Sequence, residues 1–187
     1  MVGYASVKIT RRGRLNVGNA TLQNSISSSS VAVPPGWSIT QSISEFGNTI
    51  ATDNPDLSAF KRDDGKIIIW HGLSDQLIFP QGTVDYYRRV LRTMGGPANT
   101  ESFARLFLAS GAQHCASAAG PAPATGQPLA ALVRWVEHGK APTVIPGATI
   151  DPTTGVVTDT RPICLYPEFA RYSGHGSTTQ ASSFVCA

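Results

Sequence analysis

The chain has 187 residues, of which 41% are hydrophobic and only 14% are charged, and its formal net charge is +3. This length and composition suit one globular domain with a core of its own. The weak positive charge argues against a nucleic-acid partner, and no apolar run approaches the roughly 20 residues of a membrane-spanning helix. The 18 glycines and 13 prolines are typical of a loop-rich, extracellular protein.

The N-terminal 47 residues differ from the rest of the chain. Weak alternation of apolar and polar residues from Val7 to Ile26 is compatible with short strands, whereas the four serines Ser27 to Ser30 indicate a loop or linker. Residues 1–47 therefore form an unassigned segment, and we expect the folded domain in residues 48–187.

The remainder of the chain alternates between strand and helix patterns. Lys66 to Trp70 is a short, β-branched, apolar run typical of a buried parallel strand, and Phe103 to Leu108 is a second such run. Helices are predicted from Pro80 to Met94 and from Leu129 to His138, the second with Leu129 facing the core. Strands that alternate with helices predict an α/β fold with a parallel sheet.

Two residues of catalytic type follow the predicted strands. Asp75 lies in the loop after the first strand, and His114 lies in the loop after the second. Neighbouring parallel strands would place both loops at the edge of the sheet where ligands bind in such folds. A carboxylate there can orient an imidazole ring, and Asp before His matches the end of the Ser, Asp, His order of α/β-hydrolases. The alternative is that both are ordinary loop residues.

Several local sequences resemble one family. Trp70 to Gly82 resembles the loop of the catalytic acid in the tannase and feruloyl esterase family, and Gly111 to Cys115 resembles its Gly-x-x-His-Cys loop. Further look-alikes occur in the family's order at Asp56 to Phe60, Ala131 to Glu137, Arg161 to Cys164 and Ser183 to Cys186. The resemblance covers residues 48–187. It implies the C-terminal part of an α/β-hydrolase fold, with an incomplete, mostly parallel sheet and without the family's lid domain.

The resemblance implies an esterase that uses a Ser-His-Asp triad on esters of aromatic acids, such as feruloyl or galloyl esters. Asp75 would be the acid of the triad, and His114 would be the general base that activates the serine. The nucleophile is where this chain departs from the family, because the sequence contains neither a Cys-Ser-x-Gly-Gly elbow nor a Gly-x-Ser-x-Gly elbow. We therefore expect a truncated, inactive piece of an active parent enzyme.

The three cysteines fit this expectation. By resemblance, Cys164 and Cys186 form the family's C-terminal disulfide, whereas Cys115 is unpaired because its family partner stands beside the missing nucleophile. The family also implies a secreted parent enzyme, although this sequence shows no signal peptide. We expect no cofactor, because no metal-binding motif is present and the family's calcium site would lie in the absent lid.

Other interpretations remain open. The chain is alternatively a non-catalytic remnant or small binding module, or one half of a two-chain esterase whose other half supplies the nucleophile. Half a parallel sheet would expose an edge strand unless residues 1–47 cover it. His71 and Ser74 are expected to have structural roles beside Asp75. The expected partner of the parent is an aromatic ester, with neither nucleic acid nor membrane involved.

Overall fold

The computed structural model describes residues 4–9, 15–17, 39–50, 52–114 and 120–187. The expected loop at Ser27 to Ser30 and the expected unpaired Cys115 lie outside these ranges. The described elements, in chain order, are β1 (Tyr4–Ile9), β2 (Leu15–Val17), α1 (Ile39–Ile50), α2 (Ser58–Arg62), β3 (Lys66–Gly72), α3 (Pro80–Thr93), α4 (Pro97–Thr100), β4 (Ala104–Ala109), β5 (Ala122–Pro123), α5 (Gln127–His138), β6 (Val144–Ile150), β7 (Val157–Cys164), β8 (Ala170–Tyr172), a 3-10 helix (Ala181–Ser183) and β9 (Phe184–Cys186).

The central sheet is mixed, with the strand order β2-β1-β3-β4. β3 and β4 are parallel, from Ile67 opposite Ala104 to Gly72 opposite Ala109, which confirms the predicted parallel pair. β1 pairs antiparallel with both β2 and β3, so the expectation of a mostly parallel sheet is wrong for the described residues. A parallel pair needs a crossover, which α3 supplies between β3 and β4, whereas the N-terminal strands join the other edge of β3 without one.

Helices pack on both faces of this sheet because the side chains of β3 alternate between the faces. Ile68 is fully buried in a cluster with Phe107 of β4 and Leu132 of α5. Ile69 points the other way and packs in a cluster with Tyr87 of α3. β3 and β4 therefore form the buried centre of an α/β layer structure.

The buried face of α5 differs from the predicted one. The helix begins after Gly126, and its buried side chains are Ala131, Leu132 and Trp135. Leu129 is 49% exposed, so its expected inward orientation is wrong: the large Trp135 and the neighbouring pair set the phase of the helix, and Leu129 falls on its flank. Among the described helices, none combines the length and apolar character needed to cross a membrane.

The C-terminal part of the chain is antiparallel. β5, β6 and β7 form one sheet, and β8 and β9 form a hairpin. Leu165 bridges to Phe107, and the Tyr166 N–H donates to the Leu106 carbonyl at 2.8 Å, so the chain after β7 runs along the outer edge of β4. Cys164 and Cys186 form a disulfide that joins β7 to β9.

Candidate active site

Asp75 lies in a tight loop directly after β3, residues 73–79, which we call the acid loop. Backbone hydrogen bonds tie this loop to the chain around the end of β4. The Leu73 N–H donates to the Ala109 carbonyl and the Ser74 N–H donates to the Ala112 carbonyl, both at 3.0 Å. The acid loop thereby extends the pairing of β3 and β4 beyond their last residues, and Ser74 contributes to it through its backbone.

The Asp75 carboxylate is held by its own loop. The residue is buried, with 7% of its surface exposed. Its Oδ1 accepts the backbone N–H groups of Leu77 and Ile78, each at 2.9 Å. Bonds from an aspartate to the backbone two and three residues ahead fix the turn and the side chain together. The carboxylate therefore has a set orientation before any contact with a histidine.

His114 lies in the loop after β4, and its ring reaches the Asp75 carboxylate. Nδ1 of His114 is 3.0 Å from Oδ2 and 3.1 Å from Oδ1 of Asp75. An ionised carboxylate only accepts hydrogen bonds, so Nδ1 carries the donated proton and Nε2 is the basic nitrogen. The His114 side chain is 17% exposed against 5% for Asp75. This arrangement can orient a general base while shielding its acid partner.

Two glycines allow the loops after β3 and β4 to meet. A Cβ on Gly72 would lie 2.3 Å from the Ala112 carbonyl oxygen, so the last residue of β3 has no room for a side chain. Gly111 has a φ of 82°, in the left-handed region that glycine adopts readily. It turns the chain after β4 toward His114. Gly72, within the Trp70 to Gly82 motif, and Gly111, at the start of the Gly-x-x-His-Cys motif, are thus suited to the close approach of the two loops.

His71 also belongs to the site, which the sequence pattern did not indicate beyond a structural role. Its ring is buried beside Asp75, with Nε2 3.5 Å from the carboxylate Oδ2. The ring also contacts the Thr83 hydroxyl at 2.7 Å and the Ile78 carbonyl at 3.0 Å. Burial lowers the pKa of His71, which favours the neutral ring. The available sequence signal was its place just before Gly72, four residues before Asp75.

The other two histidines differ from His71 and His114 in being exposed. His138, at the end of α5, and His175 are exposed on the surface. In the part of the chain that the structure describes, no group of three or more His, Cys, Asp or Glu side chains is placed to hold a metal ion. The expectation that Cys115 is unpaired stays a prediction, because this residue is not described.

The sequence matches a protein family over most of its length. The family model of tannase and feruloyl esterase matches residues 16–187. The chain belongs to this family. The match extends into the segment 1–47 that the motifs had left unassigned, and it includes both loops of the Asp75–His114 pair.

Two relatives in the tannase and feruloyl esterase family are considerably longer than this chain. The chain is 43% identical over 147 residues to the probable feruloyl esterase of Arthroderma benhamiae, covering 79% of this chain and 27% of that protein. It is 41% identical over 149 residues to the mono(2-hydroxyethyl) terephthalate hydrolase of Piscinibacter sakaiensis, covering 79% of this chain and 23% of that protein. The chain therefore spans about a quarter of the length of these two relatives.

Solved structures of the family share the fold of this chain. Feruloyl esterase B from Aspergillus oryzae matches with a TM-score of 0.69 and 31% identity, covering 81% of this chain and 33% of that one. Tannin acyl hydrolase from Aspergillus niger matches with a TM-score of 0.65 and 26% identity, covering 79% and 27%. The described elements are therefore arranged as in a tannase or feruloyl esterase, which agrees with the α/β-hydrolase type of fold expected from the sequence.

Proposed function

We propose that this chain supplies the acid and the base of a serine-dependent carboxylic ester hydrolase, with Asp75 as the acid and His114 as the general base. The contact that carries the proposal is the one between His114 Nδ1 and Asp75 Oδ2, 3.0 Å long, at the ends of two parallel strands. Family membership supports an ester as the bond that is cleaved, because the named relatives include esterases.

In the proposed reaction His114 moves one proton in each direction. Its Nε2 takes the proton of a serine hydroxyl as the serine oxygen attacks the ester carbonyl carbon. The same nitrogen then protonates the departing alcohol, which leaves an acyl-serine, and a second cycle with water releases the acid. Asp75 stays ionised, holds the ring in the required tautomer and stabilises the imidazolium that forms.

The proposed substrates are esters of aromatic acids. The names of the relatives support this class, since they include feruloyl esterases, a terephthalate monoester hydrolase and a tannin acyl hydrolase. The acid loop adds support because Leu77 and Phe79 are 68% and 72% exposed, which leaves apolar surface a few residues from Asp75. We further propose that the complete protein is secreted, since the Cys164–Cys186 disulfide suits an oxidising compartment.

The nucleophile is proposed to lie outside these 187 residues, so that this chain alone is inactive. The absence of a Cys-Ser or Gly-x-Ser-x-Gly elbow from the 187 residues supports this, as does the short span relative to the relatives. An acid and a base without a nucleophile and an oxyanion hole cannot complete acyl transfer.

A pair of proteins tests the proposal: the purified chain, and a chimera in which residues 16–187, the range that matches the family model, replace the corresponding region of Aspergillus oryzae feruloyl esterase B. With methyl ferulate and mono(2-hydroxyethyl) terephthalate as substrates, we expect no product from the chain and measurable product from the chimera. His114→Ala should abolish turnover by the chimera, whereas the control His138→Ala, at an exposed site, should not.

Two results would contradict the proposal. A burst of product from the purified chain that His114→Ala removes would show that the chain already contains its nucleophile. A folded, active chimera that is indifferent to His114→Ala would show that this histidine is not the base.

A non-catalytic module is the second candidate, and the pairing of β1 with β3 favours it. That pairing covers a strand edge that would otherwise promote aggregation, and it uses residues near the N-terminus. A chain that melts cooperatively as a monomer, together with an inactive but folded chimera, would support this candidate over the esterase.

A further inference from the structure

The His71 ring joins three elements next to the candidate acid. His71 itself belongs to β3, its Nδ1 lies 2.7 Å from the Thr83 hydroxyl of α3, and its Nε2 lies 3.0 Å from the Ile78 carbonyl oxygen in the acid loop. The side chain is 1% exposed. Strand, helix and acid loop therefore meet on a single buried imidazole beside the Asp75 carboxylate.

The partners of this ring determine its tautomer. A carbonyl oxygen only accepts, so Nε2 of His71 carries the proton that it donates to Ile78. Nδ1 then accepts a hydrogen bond from the Thr83 hydroxyl. Burial lowers the pKa of His71, so the ring stays neutral and keeps this tautomer at neutral pH.

We infer that His71 is a positioning residue for Asp75 and that it acts through Ile78. The ring binds the Ile78 carbonyl, and the N–H of that same residue donates to Asp75 Oδ1 at 2.9 Å. Residue 78 is thus held from both sides, and with it the turn that orients the carboxylate toward His114. The inference deepens the proposed function and rests on the role proposed there for Asp75.

The Nε2 edge of His71 has a second effect on the same carboxylate. It lies 3.5 Å from Asp75 Oδ2, which is too long for a strong hydrogen bond. The N–H dipole nevertheless places its positive end beside an anion that is shielded from water, where such interactions are strengthened. His71 therefore favours the carboxylate position in which Oδ2 faces His114.

A role as a simple core filler makes a different prediction. Phenylalanine has a ring of similar size without polar atoms, so it would serve as well as histidine if His71 only filled volume. As a positioning residue, His71 cannot be replaced by Phe, because the Ile78 carbonyl and the Thr83 hydroxyl would lose a buried partner. Glutamine keeps an amide N–H near the position of Nε2 and should restore the bond to Ile78.

Nuclear magnetic resonance of the full 187-residue chain tests the inference without requiring activity. The readouts are the proton on His114 Nδ1, hydrogen-bonded to Asp75, and the two ring nitrogens of His71. We expect a protonated Nε2 and an unprotonated Nδ1 for His71 in the wild type. His71→Phe should lose the His114 proton signal, whereas His71→Gln should retain it.

Val90→Ala is the matched control for loss of stability. Val90 is fully buried and packs with Met94 and Phe103 at the start of β4, at the end of the sheet opposite the site. Val90→Ala should lower the melting temperature while retaining the His114 signal. A wild-type signal in His71→Phe, or the same loss of signal in Val90→Ala, would overturn the inference.

Thr83→Val decides the matter if His71→Phe does not fold. This variant removes only the hydroxyl that donates to Nδ1, and it should shift part of the His71 population to the other tautomer and weaken the His114 signal. Unchanged His71 nitrogens and an unchanged His114 proton would overturn the inference. A wild-type chain without the His114–Asp75 signal would count against the proposed acid–base pair itself, which separates the two failures.

Discussion

The Asp75 carboxylate has hydrogen-bond partners both in the acid loop and on His114. Oδ1 accepts two backbone N–H groups from the acid loop, whereas the shortest contact of His114 Nδ1 is with Oδ2. The loop contacts would survive many changes at His114, but the histidine contact depends on a carboxylate in this place. This asymmetry makes Asp75 the better first target for mutation.

Asp75→Asn keeps the size of the side chain but presents an amide N–H to the ring of His114. The ring of His114 then favours the tautomer with the proton on Nε2, which cannot accept the serine proton. In a serine hydrolase of this kind, kcat is expected to fall about 10⁴-fold. The measurement is kcat for methyl ferulate in the chimera described above. A loss below about tenfold would show that Asp75 does not orient the base.

The burial of His71 is expected to make the stability of the chain depend on pH. Its pKa is lowered from 6.5 by burial, so the unfolded chain binds the proton more tightly than the folded one. The free energy of unfolding is therefore expected to decrease as the pH falls below about 6.5, and to be greater above it. Hydrogen bonds to Ser58 and Thr154 lower the pKa values of Asp56 and Asp151. These two carboxyl groups therefore affect the free energy of unfolding only at pH values near or below 3.8.

Denaturant unfolding from about pH 8 to about pH 5 measures this dependence. His71→Gln should flatten it, whereas His138→Gln, at an exposed position, should leave it unchanged. An equally steep dependence in His71→Gln would mean that another group is responsible.

The sequence predicts part of the site. Asp75 and His114 can be found because each follows a recognisable apolar strand, and strand ends of a parallel pair lie side by side. The contact between His71 and Thr83 cannot be found in this way. It depends on how α3 docks against β3, and no periodic pattern links a strand residue to a helix residue twelve positions away.

Among the elements, the ends of β3 and β4 determine whether the site can form. The two strands run side by side as far as Gly72 and Ala109, and the chain after β4 crosses so close to Gly72 that a Cβ would meet the Ala112 carbonyl. The acid loop and the loop of His114 therefore depend on one residue without a side chain.

Gly72→Ala should separate these loops. Relief of the 2.3 Å clash requires the backbone to shift, and overpacking of this kind costs about 1–3 kcal/mol of stability. Gly82→Ala is the matched control, since nothing lies within 4 Å of a Cβ on that helical glycine and alanine favours a helix. Chemical denaturation of both variants gives the comparison, and a Gly72→Ala chain as stable as Gly82→Ala would show that the close approach at Gly72 does not matter.

Element types were predictable where the local pattern is strong. The runs at β3 and β4 are short, apolar and β-branched or leucine-rich, and both are buried strands. The sequence does not determine which face of α5 is buried, because Leu129 fits the helical spacing as well as Trp135 does. Only packing against the sheet selects between the two faces. The antiparallel pairing of residues 4–9 with β3 was missed because it joins segments about sixty residues apart.

In the molecule as a whole, the C-terminal antiparallel region is fastened to the α/β layer along the edge of β4. The disulfide between Cys164 and Cys186 joins two residues that lie 22 positions apart within this region. Such a cross-link mainly restricts the unfolded chain. It should therefore contribute to the stability of the whole domain rather than to the geometry of the site.

Replacement of both Cys164 and Cys186 by alanine should lower the free energy of unfolding by about 3 kcal/mol. Guanidinium unfolding of the oxidised wild type and of the double variant measures the difference. Reductant should destabilise the wild type by a similar amount and leave the double variant unaffected. A double variant as stable as the oxidised wild type would contradict this role.

A double-mutant cycle on kcat in the chimera tests directly whether Asp75 and His114 act as one acid–base pair. Members of a catalytic unit are strongly non-additive, since removal of the base leaves the acid without a function. His114→Ala should therefore reduce kcat about as much as His114→Ala combined with Asp75→Asn. If the losses from the two substitutions instead multiply, or if neither substitution affects kcat, Asp75 and His114 do not work as a pair.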